Sequence, residues 1–87
     1  MIYDMKTLSN SELTIKVSPH GAELCSILRD GKEYLWQADP AFWKRHSPVL
    51  FPIVGSVWEN EYRHEGVSYA LTQHGFARDM DFELMLE

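Results

Sequence analysis

Leu13, Ile15 and Val17 alternate with Thr14 and Lys16, a period of two rich in β-branched residues that predicts a strand with one buried face. Asn10-Ser11 supplies a turn before it, so the segment from Ile2 to Leu8 is the expected hairpin partner. Ser18-Pro19-His20-Gly21 breaks the run, and a second strand is expected from Ala22 to Arg29. Asp30-Gly31 then separates that strand from Glu33-Tyr34-Leu35-Trp36, and Asp-Gly favours a two-residue hairpin turn because both central positions need positive φ. Asp39 and Pro40 have the N-cap and first-turn chemistry of a short helical turn running to Trp43.

Ser47-Pro48 and Phe51-Pro52 bracket Val49, Leu50 and Phe51, and two prolines so close predict an irregular or edge segment that continues through Ile53-Val54-Gly55. Tyr62 to Leu71 reads as strand, turn at Glu65-Gly66, and strand. Gln73 to Asp79 interrupts the alternation, and Phe82, Leu84 and Leu86 resume it between Asp81, Glu83 and Met85 as a last expected strand. That run reaches Glu87 with no turn or partner after it, so the chain reads as the N-terminal piece of a longer domain. The fold class is all-β, part of an antiparallel β-sandwich, with residues 1–87 as one unit.

Composition narrows the function. The chain has 87 residues, 45% of them hydrophobic, enough for one small domain that buries only about 60 to 65% of its unfolded surface. Its formal charge of -5, with eight Lys and Arg scattered among carboxylates, argues against nucleic acid as a partner. No apolar run is long enough to cross a bilayer and the first residues lack signal-peptide character, so no membrane partner is expected. A cytoplasmic protein is expected, and the single cysteine, Cys25, excludes an internal disulfide. Its apolar surroundings predict a buried structural thiol.

Chemistry-bearing residues are few. The histidines at 20, 46, 64 and 74 have no His or Cys partner at local metal-ligand spacing, so neither a metal nor another cofactor is expected. A nucleophile elbow and a Gly-rich phosphate loop are both missing. Glu59, Glu61 and Glu65 read as a solvated face, His20 and His64 as turn or surface residues, and His46 beside Lys44 and Arg45 as part of a surface cluster. His74 differs in context: it begins a compact connection in which Gly75 permits close approach to a ligand and Arg78 offers a planar fork of donors. A His-Gly pair in a loop is turn chemistry as often as function.

Four separated segments carry a family resemblance. They are Ser18-Pro19-His20-Gly21-Ala22-Glu23-Leu24, Glu33-Tyr34-Leu35-Trp36, Leu50-Phe51-Pro52-Ile53-Val54-Gly55 and Gln73-His74-Gly75-Phe76-Ala77-Arg78-Asp79. In this order they resemble the N-terminal part of aldose 1-epimerase (galactose mutarotase-like) proteins, closest to the LacX-related branch. The resemblance implies a β-sandwich built by a longer chain, and an isomerase that interconverts the α and β anomers of free sugars. A carboxylate base and a histidine acid act there on opposite sides of the ring-opening bond.

Carried over residue by residue, the resemblance implies that His74 is a sugar-contacting active-site histidine and that Arg78 belongs to the same motif, anchored through Asp79 or Asp81. Ser56 stands where the family often has a sugar-binding arginine, and it has neither the reach nor the charge of one. The family's acid histidine and base glutamate are expected beyond residue 87. The expected partner is therefore a small hexose-like sugar, with the 87 residues inactive alone. The alternatives are a non-catalytic carbohydrate-binding protein with Trp36, Trp43 or Trp58 stacked on sugar, and self-association through exposed strand edges.

Overall fold

The computed structural model describes residues 5–85. Four strands form an antiparallel meander in chain order: β1 (Lys6–Ser9), β2 (Thr14–Ser18), β3 (Glu23–Arg29) and β4 (Lys32–Glu33). A separate hairpin follows, β5 (Glu61–His64) paired with β6 (Val67–Ala70). Short 3-10 turns occupy Trp58–Asn60 and Ala77–Asp79. The all-β expectation holds, and among the described residues no helix is long and apolar enough to cross a membrane.

The turns explain the register. Asn10 Oδ1 accepts the amides of Glu12 and Leu13, each at 2.8 Å, which closes the β1–β2 loop. Asp30 and Gly31 both take positive φ, 51° and 76°, and set Arg29 opposite Lys32. Glu65 and Gly66 repeat that geometry between β5 and β6, where Tyr62 stacks on Tyr69 with ring centroids 5.2 Å apart. The β2–β3 register slips between Lys16 and Val17: Lys16 faces Ser26 while Val17 faces Leu24, leaving Cys25 as the extra residue of a bulge.

Two expected elements differ from what forms. The strand expected through Trp36 stops at Glu33, because the Glu33 carboxylate accepts the amides of Ile27 at 2.8 Å and Leu35 at 3.1 Å, and the Ser26 hydroxyl as well. These side-chain bonds take over where ladder bonds would continue. The run after Met80 does not become a strand in the described residues. Asp81 makes only an isolated bridge to His20, and residues 82–85 follow irregularly without a strand to pair with. Leu86, and the portion of the expected first strand before Met5, lie outside the described residues.

The turn at 39–42 matches its sequence. Asp39 Oδ1 accepts the Ala41 amide at 2.9 Å, and the Asp39 carbonyl accepts those of Phe42 and Trp43 at 3.0 Å. The proline-bracketed segment is irregular, as two prolines dictate, with one parallel bridge from Phe51 to Gly75 and a cis Phe51-Pro52 peptide.

Little of the described chain is core. Among the described residues Cys25, Leu71 and Ala77 are the buried hydrophobic side chains, while Trp43, Phe51, Trp58, Phe76 and Phe82 are exposed. The radius of gyration is 16.2 Å, against about 12 Å for a compact domain of this length. The tryptophans read as candidate sugar platforms are all exposed, Trp58 to 85%. The strands therefore carry apolar faces that the 87 residues do not themselves cover.

Candidate functional site

The loop from Gln73 to Asp79 is held from two sides. On one side the Phe51 carbonyl accepts the Phe76 and Ala77 amides at 3.0 and 3.2 Å. On the other, Gly21 donates to the Met80 carbonyl at 2.6 Å, Phe82 donates to the Pro19 carbonyl at 2.8 Å, and His20 Nδ1 meets Asp81 Oδ1 at 2.9 Å. The loop thus joins the β1–β4 sheet to the proline-bracketed segment. Gly75 serves this junction rather than a ligand: a Cβ on it would overlap the Phe51 carbonyl oxygen and come within 2.6 Å of Pro52 Cδ.

His74 sits at φ 64°, a left-handed conformation that costs a non-glycine residue roughly 1–2 kcal/mol. Two hydrogen bonds to one residue hold it there. The His74 amide donates to the Gly55 carbonyl at 2.7 Å, and the Gly55 amide donates to His74 Nδ1 at 2.9 Å. Since Nδ1 is accepting, the neutral ring carries its proton on Nε2, which makes that nitrogen a donor. The strain and the fixed tautomer sit on one side chain, as is common where a backbone is shaped for binding.

His74 and Arg78 line the same cleft, of about 390 Å³, with Trp43, Pro48, Leu50 and Gln73. Arg78 does not anchor the loop as expected. Asp79 pairs with Arg45 at 3.1 Å and Asp81 with His20, while Arg78 Nε is buried without a hydrogen-bond partner in the described structure. A buried donor without a partner is costly unless something later accepts from it. Ser56 is exposed next to Gly55 and is not among the residues lining the cleft.

The cleft wall reaches back to the capped turn. Trp36 Nε1 donates to the Trp43 carbonyl at 2.8 Å, which fixes the backbone of the one tryptophan that lines the cleft. An aromatic face, two donors from His74 and Arg78, and the Gln73 amide form a surface suited to a polar ring with several hydroxyls. The Gly55 clamp was not foreseeable from composition, since it joins residues 19 positions apart; the signal was that both lie in family-like segments.

His46 also departs from expectation. It is not a surface cluster residue: its Nδ1 lies 3.3 Å from Glu23 Oε2, and its amide donates to the same oxygen at 2.9 Å. His64 and the nearby glutamates are exposed, as read.

With this geometry established, likeness to known proteins decides the family. Residues 4–85 match the aldose 1-epimerase family. The chain belongs to the aldose 1-epimerase family. Chromosomal protein LacX of Lactococcus lactis is 41% identical over 88% of this chain, as is the plasmid-borne LacX. A galactose mutarotase related enzyme from Lactobacillus acidophilus superposes with a TM-score of 0.94 at 44% identity over 97% of this chain. A galactose mutarotase-like protein from Lactobacillus casei gives 0.90 at 41% identity, also over 97% of the chain. The chain spans 28% of the LacX proteins and 29% of these two structures. For an aldose 1-epimerase family member, its strands therefore correspond to under a third of the relatives' fold, which accounts for the apolar faces it leaves open.

Proposed function

We propose that this chain supplies the sugar-holding part of an aldose 1-epimerase site, within a protein of carbohydrate metabolism that interconverts α and β anomers of a hexose-like sugar. The observation that carries the proposal is the Gly55 clamp on His74, which occupies Nδ1 and leaves Nε2 as the donor of a strained residue that lines one cleft with Arg78. Family membership supports the same reading.

In this proposal His74 donates to a sugar oxygen, Arg78 donates to a neighbouring hydroxyl and Trp43 covers an apolar face of the ring. Ser56 contributes a hydroxyl at the rim where the family often has an arginine, a weaker contact with less reach. Ring opening needs a base on the anomeric hydroxyl and an acid on the ring oxygen. The 87 residues, as one N-terminal unit of the sandwich, hold the sugar but lack that pair, so alone they bind without catalysing.

Polarimetry on α-glucose and α-galactose tests this with three samples: the 87-residue chain, the same chain extended beyond Glu87 by the corresponding part of a LacX relative, and the extended chain carrying His74→Ala. Acceleration is expected in the extended chain alone. Losing the His74 donor should slow it about ten- to hundred-fold, the effect of one hydrogen bond and its stranded acceptor. Mutarotation by the short chain would refute the division of the site.

A second reading rests on the exposed aromatic surface: copies of the chain associate through uncovered faces and edges, with Trp58 and Phe42 among the contacts. A monomer by light scattering at working concentration would dismiss it.

A further inference from the structure

Away from the cleft, the β3 bulge and the segment entering the cleft wall bring together three chemically different ligands. Glu23 and Cys25 lie two apart on β3, which places both on one face, and His46 reaches them from the segment after Trp43. The Glu23 carboxylate oxygen, the Cys25 Sγ and a His46 ring nitrogen all lie within 4.8 Å of one another.

We propose that Glu23, Cys25 and His46 form a binding site for a borderline-soft divalent cation, Zn²⁺ by its ligand chemistry. One oxygen, one nitrogen and one sulfur donor suit Zn²⁺, which bonds thiolate at about 2.3 Å and nitrogen or oxygen near 2.0–2.2 Å. Tetrahedral bonding of that size separates ligand atoms by roughly 3.3–3.6 Å, so closing the site takes about 1 Å of side-chain motion. The Glu23–His46 contact, at 3.3 Å, already has that spacing.

The surroundings fit a built site. Glu23 is 8% exposed and Cys25 6%, and a buried carboxylate needs a cation or donors near it. The Cys25 thiol, a weak donor, donates to the Glu23 carbonyl at 3.3 Å. Cys25 and His46 both line a cavity of about 420 Å³ shared with Gln37, Lys16 and Glu33, which leaves room for a water as fourth ligand. The nearby Gln37 amide is already committed to the Cys25 carbonyl at 2.9 Å and Glu33 to three donors, so neither competes for the ion.

Binding forms the sulfur–metal bond and releases the thiol proton to solvent. The charges of Glu23 and the thiolate then balance the dication. The ion would tie β3 to the chain that leads into Pro48 and Leu50 on the cleft wall, a junction already marked by the Ser47 hydroxyl donating to the Leu24 carbonyl at 2.6 Å.

Cobalt(II) titration of the 87-residue chain tests this directly, because its single thiol is the only possible source of a sulfur-to-cobalt charge-transfer band. One equivalent of Co²⁺ should raise that near-ultraviolet band, and Zn²⁺ should bleach it. Cys25→Ser should abolish the band, and His46→Ala should weaken cobalt binding by more than about ten-fold, since loss of even an outer-shell partner costs 10- to 100-fold. His64→Ala, a surface control, should change neither. Absence of the band in the unmodified chain, a stoichiometry of one metal per two chains, or unchanged cobalt affinity in Cys25→Ser would overturn the proposal and leave Glu23 and His46 as a hydrogen-bonded pair only.

Discussion

Replacing Gly75 with alanine puts the close packing of the site loop to a quantitative test. The new Cβ would overlap the Phe51 carbonyl oxygen and approach both the Phe51 carbonyl carbon and Pro52 Cδ to 2.6 Å, with φ at 75°. A left-handed alanine costs roughly 1–2 kcal/mol, and overpacking against backbone a further ~1–3 kcal/mol. If Phe51 yields instead, the amides of Phe76 and Ala77 lose their shared acceptor, at about 1 kcal/mol each. A loss of about 3 kcal/mol follows by either route, large for a domain this size.

Gly66→Ala is the control, because Gly66 has φ 79° but nothing within 4 Å of an added Cβ. It should show the conformational cost alone, roughly 1–2 kcal/mol. Urea unfolding of the two variants, with amide exchange read at Phe76 and Ala77, separates the terms. Equal losses in both variants would refute the packing argument, and unchanged exchange at those two amides would refute the proposed route into the site.

Further outcomes follow from other residues. The Ser26 hydroxyl first, and then the Ile27 amide, hold the Glu33 carboxyl below its ordinary value of 4.5. Its contribution to stability is therefore present above that value and lost as pH falls through the lowered one. Protection of the Ile27 and Leu35 amides should fade below pH 4.5, a dependence absent in Glu33→Gln. Burial, and then the charge of Glu23, push the Cys25 thiol above its ordinary 9.0, so alkylation at pH 8 should be slow in the folded chain and fast in urea. Asp39→Ala removes the acceptor for the Ala41 amide and should cost about 1 kcal/mol, with a change in Trp43 fluorescence.

Local chemistry made much of the fold legible. Asp30-Gly31 and Glu65-Gly66 each specify a turn that few other dipeptides make, and the alternation from Thr14 to Val17 marks most of the five-residue strand β2. Alternation misled at Phe82 to Met85, because a pattern supplies a strand face but no strand beside it. Glu33 ended β4 early through side-chain bonds to residues six and seven positions back, which no local pattern encodes. The site was legible in its residues but not in its wiring. His74 and Arg78 stood out as a motif, whereas the Gly55 clamp and the Arg45–Asp79 pair join segments 19 and 34 residues apart. Cys25 and His46 were likewise invisible as neighbours, since ligand spacing rules see only short separations and these two lie on separate segments of the chain.

The proposed function depends most on His74 acting as a tautomer-fixed donor to a sugar. Nitrogen-15 NMR of the His74 ring during a galactose titration of the 87-residue chain decides whether it does. The expected result is a proton on Nε2 and an accepting Nδ1 before sugar is added, then sugar-dependent shifts at Nε2 and at the Arg78 Nε resonance, with Nδ1 still bonded to Gly55. A proton on Nδ1 in the free chain, or saturating sugar that moves neither His74 nor Arg78, would contradict it.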